Sequence, residues 1–425
     1  MSLLQKRLQS TALVGQSRRE GGVWVESLFV MSLLLLLFDN ISFGFSLPNA
    51  TEEVSGLVRP HHLFQILLSI TLFQRKSVRL VSRSFNVFFL MSFFFSMVSY
   101  GFYGANNQIL TFLYCFIIAT NAATVAHSVG YEKALYLVRI VFISALLLVI
   151  LKNMFYIGDI VFSARSGQRV WIPGLVAGGV NPEATALALG SLLFVGSRHF
   201  PLYFVTTLLL CLLYSSRGAL LVCMFVILIY VFLNPSKSKV FLLALTLMST
   251  LLLVITSPED GIIGLLLKKI TTRFSDFGDD PGSQGRYMLW SSVLELVKRN
   301  PFGYGVMNAV PMSELLTGYK QPVIHMHNIY IQCLVDLGIQ GLGMYLLLVM
   351  SILWSFIKNK KGNLFNVILV GYFLTGMVRY RLYDSYIFVF WGMAIACNKL
   401  KAAGAEAERY PPSSVPPRSG RRAEN

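Results

Sequence analysis

Four arginines at three places and one histidine pair are the residues whose types and surroundings could do chemistry in this sequence. Arg217 stands between two apolar blocks, Arg286 opens a helical stretch, and Arg379 and Arg381 follow a third apolar block. A guanidinium beside hydrocarbon is costly, and it either snorkels to headgroups or faces a partner in a polar cavity. Several on one face favour a shared anionic ligand, because planar arginine binds phosphate in a bidentate way that lysine cannot. His325-Met326-His327-Asn328 precedes an apolar helix that contains Leu334, Leu337 and Ile339 and ends in Gly338, Gly341 and Gly343. A histidine at a helix start reads first as a cap or surface residue. A neutral imidazole with a pKa near ~6.5 is also the ordinary base for taking a proton from a hydroxyl. Asn328 either caps the helix or orients an imidazole. His-x-His is too short to put both rings on one helical face, so a two-histidine metal site is disfavoured.

Carboxylates are informative through scarcity, with 20 acidic residues against 36 basic ones. Asp276, Asp279 and Asp280 share a Gly-rich stretch, but the spacing of a calcium loop that ends in a bidentate Glu is missing. Glu183 lies in an apolar block beside Asn181 and Pro182, where a carboxylate either serves function or bonds a neighbouring helix. Walker, dinucleotide-fingerprint and Gly-x-Ser-x-Gly patterns do not occur, so nucleotide, NAD and serine-hydrolase chemistry find no support.

The elements that must hold these residues are membrane helices. Apolar residues make up 55% of the chain and charged ones 13%, and the apolar residues come in blocks of about twenty, the length that crosses hydrocarbon. The net charge of +16 falls in short runs between blocks, which marks cytoplasmic loops and excludes a nucleic-acid groove. The five cysteines stand singly in or near apolar segments and read as free packing thiols. The first block runs into Asp39 and Asn40 without a small-residue cleavage site, so it reads as a membrane helix and not as a cleaved signal.

Twelve spans are expected, near 23–46, 57–73, 85–103, 108–129, 136–157, 174–197, 201–216, 218–233, 240–256, 338–357, 364–378 and 383–399. Basic clusters before span one and after spans two and ten put both termini in the cytoplasm. The chain divides into a cytoplasmic N-terminus (1–22), nine spans (23–256), one large outer loop (257–337), three spans (338–399) and a disordered cytoplasmic tail (400–425). Within the loop, a Gly, Asp and Pro-rich linker runs from Ser275 to Gly285. A helical pattern from Arg286 to Lys298 then puts Leu289, Val293, Leu296 and Val297 on one face, and Asn300-Pro301-Phe302-Gly303 ends it. Long ordered loops in compact proteins usually serve a function.

Three blocks resemble the O-antigen ligase and polymerase superfamily of membrane glycosyltransferases. Ser215-Ser216-Arg217-Gly218-Ala219-Leu220-Leu221 is similar to its step between two central spans. Gly285-Arg286-Tyr287-Met288-Leu289-Trp290 with Asn300-Pro301-Phe302-Gly303-Tyr304-Gly305 is similar to the start of its large periplasmic loop. His327-Asn328-x-Tyr330-x-Gln332, followed by Asp336-Leu337-Gly338-Ile339-x-Gly341-Leu342, resembles the loop exit. His-x-His-Asn is closer to the ligases than to the polymerases.

The resemblance implies an all-α integral membrane fold of about twelve transmembrane helices with one large periplasmic loop, a C-type glycosyltransferase-like architecture in the bacterial inner membrane. It implies His327 as catalytic base and Arg217 and Arg286 on the diphosphate of an undecaprenyl-diphosphate-linked glycan donor. His325, Asn328, Arg379, Arg381 and, by position, Arg169 are further substrate-binding candidates. The acceptor would be lipid A-core in a ligase or a carrier-linked glycan in a polymerase, with inversion at the anomeric centre and no metal, cofactor or nucleic acid. A lipid-linked glycan transporter is the alternative of another class, but the repeated halves such a protein would show are not seen.

Overall fold

The computed structural model describes residues 22–38, 60–74, 82–104, 109–166, 172–176, 180–233, 281–318, 325–358, 363–377 and 384–409, with a few isolated positions between 241 and 265. Among the described residues every regular element is helical. The first part comprises α1 (Gly22–Leu37), α2 (Pro60–Gln74), α3 (Arg83–Tyr103), α4 (Ile109–Val129), α5 (Tyr131–Phe155), α6 (Ile157–Ser166), α7 (Val180–Gly190), α8 (Phe200–Leu213) and α9 (Arg217–Leu233). The second comprises α10 (Pro281–Ser291), α11 (Val293–Arg299), α12 (Ala309–Thr317), α13 (Ile329–Lys358), α14 (Leu364–Thr375) and α15 (Ser385–Arg409).

Four stretches are long and apolar enough to cross a membrane: α3, Phe112–Val129 of α4, α5 and α13. Shorter apolar helices are α1, α8, α9, α14 and Ser385–Leu400 of α15. In the expected span at 174–197 the structure has α7 followed by a 3-10 turn at Ser191–Phe194, with Gly196 (φ 83°) in the link to α8. The expected span at 240–256 and the aspartates at 276–280 lie outside the described residues, apart from isolated positions in the former. Local signals set several ends: Ser82 caps α3 by accepting from the Phe85 N–H at 3.2 Å, Asn363 caps α14 by accepting from the Phe365 N–H at 3.1 Å, and Gly318 ends α12 in the left-handed region.

Buried residues form two clusters. The large one runs through the long helices, and α15 packs closely on α4, where a side chain on Gly392 would strike the Ala119 carbonyl. The small one joins Leu289, Leu296, Tyr304, Ala309, Val310, Met326 and Val335, so α10, α11 and α12 sit on the first turns of α13. Leu289, Val293 and Leu296 face it as their spacing predicts, although the helix starts earlier than expected, at Pro281, a residue suited to a first helical position.

Contacts along the helices fix which ends lie together. The Tyr131 hydroxyl at the start of α5 accepts from Leu364 N–H at the start of α14, at 3.1 Å. Farther along, Gly190 packs on Phe142 of α5, and Gly371 of α14 packs on Leu189 and Leu192. Beyond that level α5 reaches Lys152, which bonds Glu183, while α14 reaches Gly376, whose carbonyl accepts from Ile329 N–H at 3.0 Å. The histidine segment and the Glu183 region therefore share one end of the bundle.

Candidate functional site

α13 is two helices joined at Gly338, where φ 74° and ψ −175° interrupt it. The rings of Tyr330 and Tyr345 lie 6.1 Å apart, whereas fifteen residues of straight helix would separate them by about 22 Å. The segment from Ile329 to Leu337 therefore folds back on the rest of α13. Tyr330 also donates its hydroxyl to the Phe373 carbonyl of α14 at 2.9 Å. This brings the histidine segment down to the level of Phe373 and Tyr345, at the seam between the two clusters: Met326 belongs to the small one and Ile329 to the large one.

His327 takes a left-handed backbone conformation, φ 54°. Only two other non-glycine residues among those described do so, Ser215 (φ 50°) and Met307 (φ 63°). Backbone strain of this kind persists where surrounding contacts over-determine it, and it gathers at functional sites. The partners that hold His327 are specific. Its N–H donates to His325 Nδ1 at 3.2 Å, and the two imidazoles lie 4.1 Å apart. Asn328 caps α13, its Oδ1 accepting from the N–H groups of Tyr330 and Ile331 at 3.0 Å each, while its amide donates to the Met377 carbonyl at 2.9 Å. Of the two roles open to Asn328, the cap is thus made, and it ties the segment to the end of α14 two residues before Arg379.

Arg286 reaches this segment through its own helix. One turn after it, the Trp290 indole N–H donates to the Met326 carbonyl at 2.8 Å, between the two histidines. Residues four apart share a helix face, so Arg286 and Trp290 stand on the same side of α10. Arg286 is half-buried, with Nε shielded from solvent, and Nδ1 of His327 is shielded likewise.

Below α12, Asp336 is 1% exposed. Its carboxylate accepts from the N–H groups of Met307 at 2.9 Å and Ala309 at 2.8 Å, and from the Gln332 amide at 3.4 Å. A carboxylate at the start of α12 also complements the helix dipole. Residues 303–308 are clamped on the other side by α3, where Ser99 donates to the Gly303 carbonyl and Tyr100 to the Val306 carbonyl, both at 2.9 Å. Asp336 and Trp290 stand within the sequence blocks without announcing these roles, since their partners are loop backbone about 27 to 36 residues away.

Arg217 opens α9 after a tight turn at Tyr214-Ser215-Ser216, in which Ser216 N–H donates to the Cys211 carbonyl at 3.1 Å. That turn rests on a buried polar cluster. Glu183 accepts from Lys152 Nζ at 2.5 Å, from the Tyr214 hydroxyl at 2.6 Å, and from the N–H groups of Leu175 and Val176 at 2.7 and 3.1 Å. Asn153 donates to Tyr214 at 2.6 Å. Glu183 stands out in the sequence, but its partner Lys152 lies 31 positions away on another helix, and no spacing rule links them.

The structure thus brings His325, His327 and Asn328 together, ties the helix of Arg286 to them through Trp290, and puts the Arg217 turn at the same end of the bundle. Arg169, Arg379 and Arg381 lie outside the described residues. Among the described residues no group of three His, Cys, Asp or Glu side chains could hold a metal ion.

Residues 202–346 match the family model described as O-antigen ligase, consistent with the O-antigen ligase and polymerase superfamily. The match covers about a third of the chain and includes Arg217, Arg286, Asp336 and the whole histidine segment. A search of curated proteins finds no match. Residues 202–346 are thus similar to O-antigen ligases, and the long apolar helices mark a membrane protein.

Proposed function

On this O-antigen ligase segment, we propose that the chain is an O-antigen ligase that moves a glycan from undecaprenyl diphosphate to a lipid A-core acceptor at the periplasmic face of the inner membrane. One observation carries the reading: a left-handed His327 stands at the seam between the loop cluster and the membrane core, with the helix of Arg286 bonded to its neighbour Met326 through Trp290. A base at that depth meets an acceptor hydroxyl from the water side and a lipid-linked donor from the membrane side.

In this reading the acceptor oxygen attacks the anomeric carbon as His327 takes the hydroxyl proton. The bond from that carbon to the diphosphate oxygen breaks, and the electron pair leaves with the diphosphate. Attack opposite the leaving group inverts the centre. Arg217 and Arg286 hold the diphosphate and stabilise the charge that grows on it, an electrostatic effect that is large in a site shielded from water. Arg169, Arg379 and Arg381 are proposed to contact the donor or acceptor. His325 is proposed to orient the His327 segment and contact substrate, with Asn328 beside it. The donor's diphosphate is already a good leaving group, so the reaction needs no nucleotide hydrolysis.

The test is a lipopolysaccharide gel from cells lacking this chain, complemented by wild type or by His327→Ala. Core without O-chain, with glycan accumulating on the carrier and no rescue by the variant, is the expected result. Core bearing a single unit would make the chain a repeat-unit polymerase, and an unchanged ladder would overturn the reading.

A further inference from the structure

Lys152 and Glu183 form an ion pair whose side chains are 5% and 0% exposed, far from the histidine segment in sequence and outside residues 202–346. An ion pair buried in the apolar core of a membrane protein is costly, and such pairs mark function more often than stability. Neither residue is given a chemical role in the transfer proposed above. What they do have is a set of mechanical connections.

Glu183 divides its two carboxylate oxygens between two segments. Oε2 accepts from the backbone N–H groups of Leu175 and Val176, which follow the stretch containing Arg169. Oε1 accepts from Lys152 and from the Tyr214 hydroxyl. Tyr214 is itself buried, receives the Asn153 amide, and carries Lys152 Nζ 5.2 Å from its ring centre. The residue after Tyr214 is Ser215, one of the three left-handed non-glycine positions described, and Arg217 follows two residues later. The hydroxyl of Tyr214 is thus fixed on one side of a strained turn that must end with the guanidinium of Arg217 in one place.

We propose that Glu183 is a positioning residue that acts through Tyr214, holding the Ser215 turn so that Arg217 is aimed at the diphosphate of the lipid donor. Lys152 keeps the Glu183 carboxylate in place and compensates its charge. The proposal rests on the reading of Arg217 as a diphosphate ligand, and the experiment separates the two.

Equilibrium binding of geranylgeranyl diphosphate is measured on the full chain in detergent for wild type, Tyr214→Phe, Arg217→Lys and the double variant. Each single change is expected to weaken binding about tenfold, and the double variant no more than either alone, because both remove one interaction. Wild-type binding by Tyr214→Phe, or a double variant showing the product of both losses, overturns the positioning role while leaving Arg217 as a ligand. Wild-type binding by Arg217→Lys overturns the reading of Arg217 itself.

A second comparison stands if Tyr214→Phe misfolds. Lys152→Met with Glu183→Gln removes both charges and keeps one acceptor oxygen, which serves Tyr214 at the expense of the Leu175 and Val176 N–H groups, and it is expected to bind within about threefold of wild type. Lys152→Met with Glu183→Leu removes the carboxylate acceptor, leaving Tyr214 only the Asn153 amide oxygen at 2.9 Å, and is expected to lose about tenfold. Equal binding by the two pairs overturns the proposal.

Discussion

Gly303 and Gly338 meet backbone to backbone: a Cβ on Gly303 would stand 2.6 Å from the Asp336 carbonyl oxygen, and a Cβ on Gly338 would stand 2.5 Å from the Pro301 carbonyl oxygen. Both glycines have φ in the left-handed range, 88° and 74°. The Asn300-Pro301-Phe302-Gly303 turn is thereby locked into the break in α13, and Ile339 N–H donates to the Pro301 carbonyl at 2.9 Å. The loop and the fold-back that presents His327 are one construction.

Gly338→Ala is therefore expected to fail on two counts, a steric clash and a backbone region nearly closed to other residues, with roughly 1–3 kcal/mol from the backbone alone. All five cysteines are buried, so a thiol-reactive dye reports unfolding in detergent. Gly338→Ala should expose thiols at a markedly lower temperature than wild type. An unchanged unfolding temperature would show that the contact yields easily. Gly343, with open space around its Cβ position, is the control, and its alanine variant should behave as wild type.

Asp336→Ala leaves the N–H groups of Met307 and Ala309 buried without their acceptor, which costs about 2–4 kcal/mol. Asp336→Asn keeps one acceptor oxygen and should cost about half as much. The same thiol assay ranks the two. If both variants match wild type, Asp336 does not hold α12.

Trp290→Phe removes the donor to the Met326 carbonyl, worth about 1 kcal/mol in stability, along with part of the indole's packing on the small cluster. Because that bond ties the helix of Arg286 to the histidine segment, transfer should fall more than stability does, by about tenfold. Transfer rates and thiol unmasking on the same preparations decide it. A loss of activity that merely follows the unfolded fraction would make Trp290 a packing residue.

Lys152→Met alone leaves the Glu183 carboxylate buried without its cation, which costs about 3–5 kcal/mol. The paired change with Glu183→Gln should recover most of that. Amounts of full-length protein in membranes for the two variants give the comparison, and equal amounts would show the pair to be structurally neutral.

Much of the helix pattern could be read from apolar block length, and the expected start of span ten at residue 338 falls on the break in α13. The fold-back itself was hidden, because the residues before and after Gly338 carry one continuous apolar pattern, while the reversal depends on Pro301 and Gly303 more than thirty positions earlier. The histidine block and both central arginines stood out because polar groups beside apolar runs are rare. Trp290 and Asp336 lay in plain view, but their partners are backbone groups, which leave no residue-type signal. Lys152 was obscured by its apolar surroundings, since the long span around it stays strongly apolar despite Lys133, Arg139 and Lys152.

Transfer turns on His327 as the base at the seam between loop and membrane core. The most direct measurement is single-turnover transfer from a purified lipid-linked donor, with His327→Asn compared to wild type. Asparagine tolerates the left-handed backbone that this position requires (φ 54°), so it removes the imidazole without disturbing the turn. The expected rate is lower by about a hundredfold or more, with unchanged thiol unmasking and unchanged donor binding. A His327→Asn enzyme that transfers at the wild-type rate would contradict the base role.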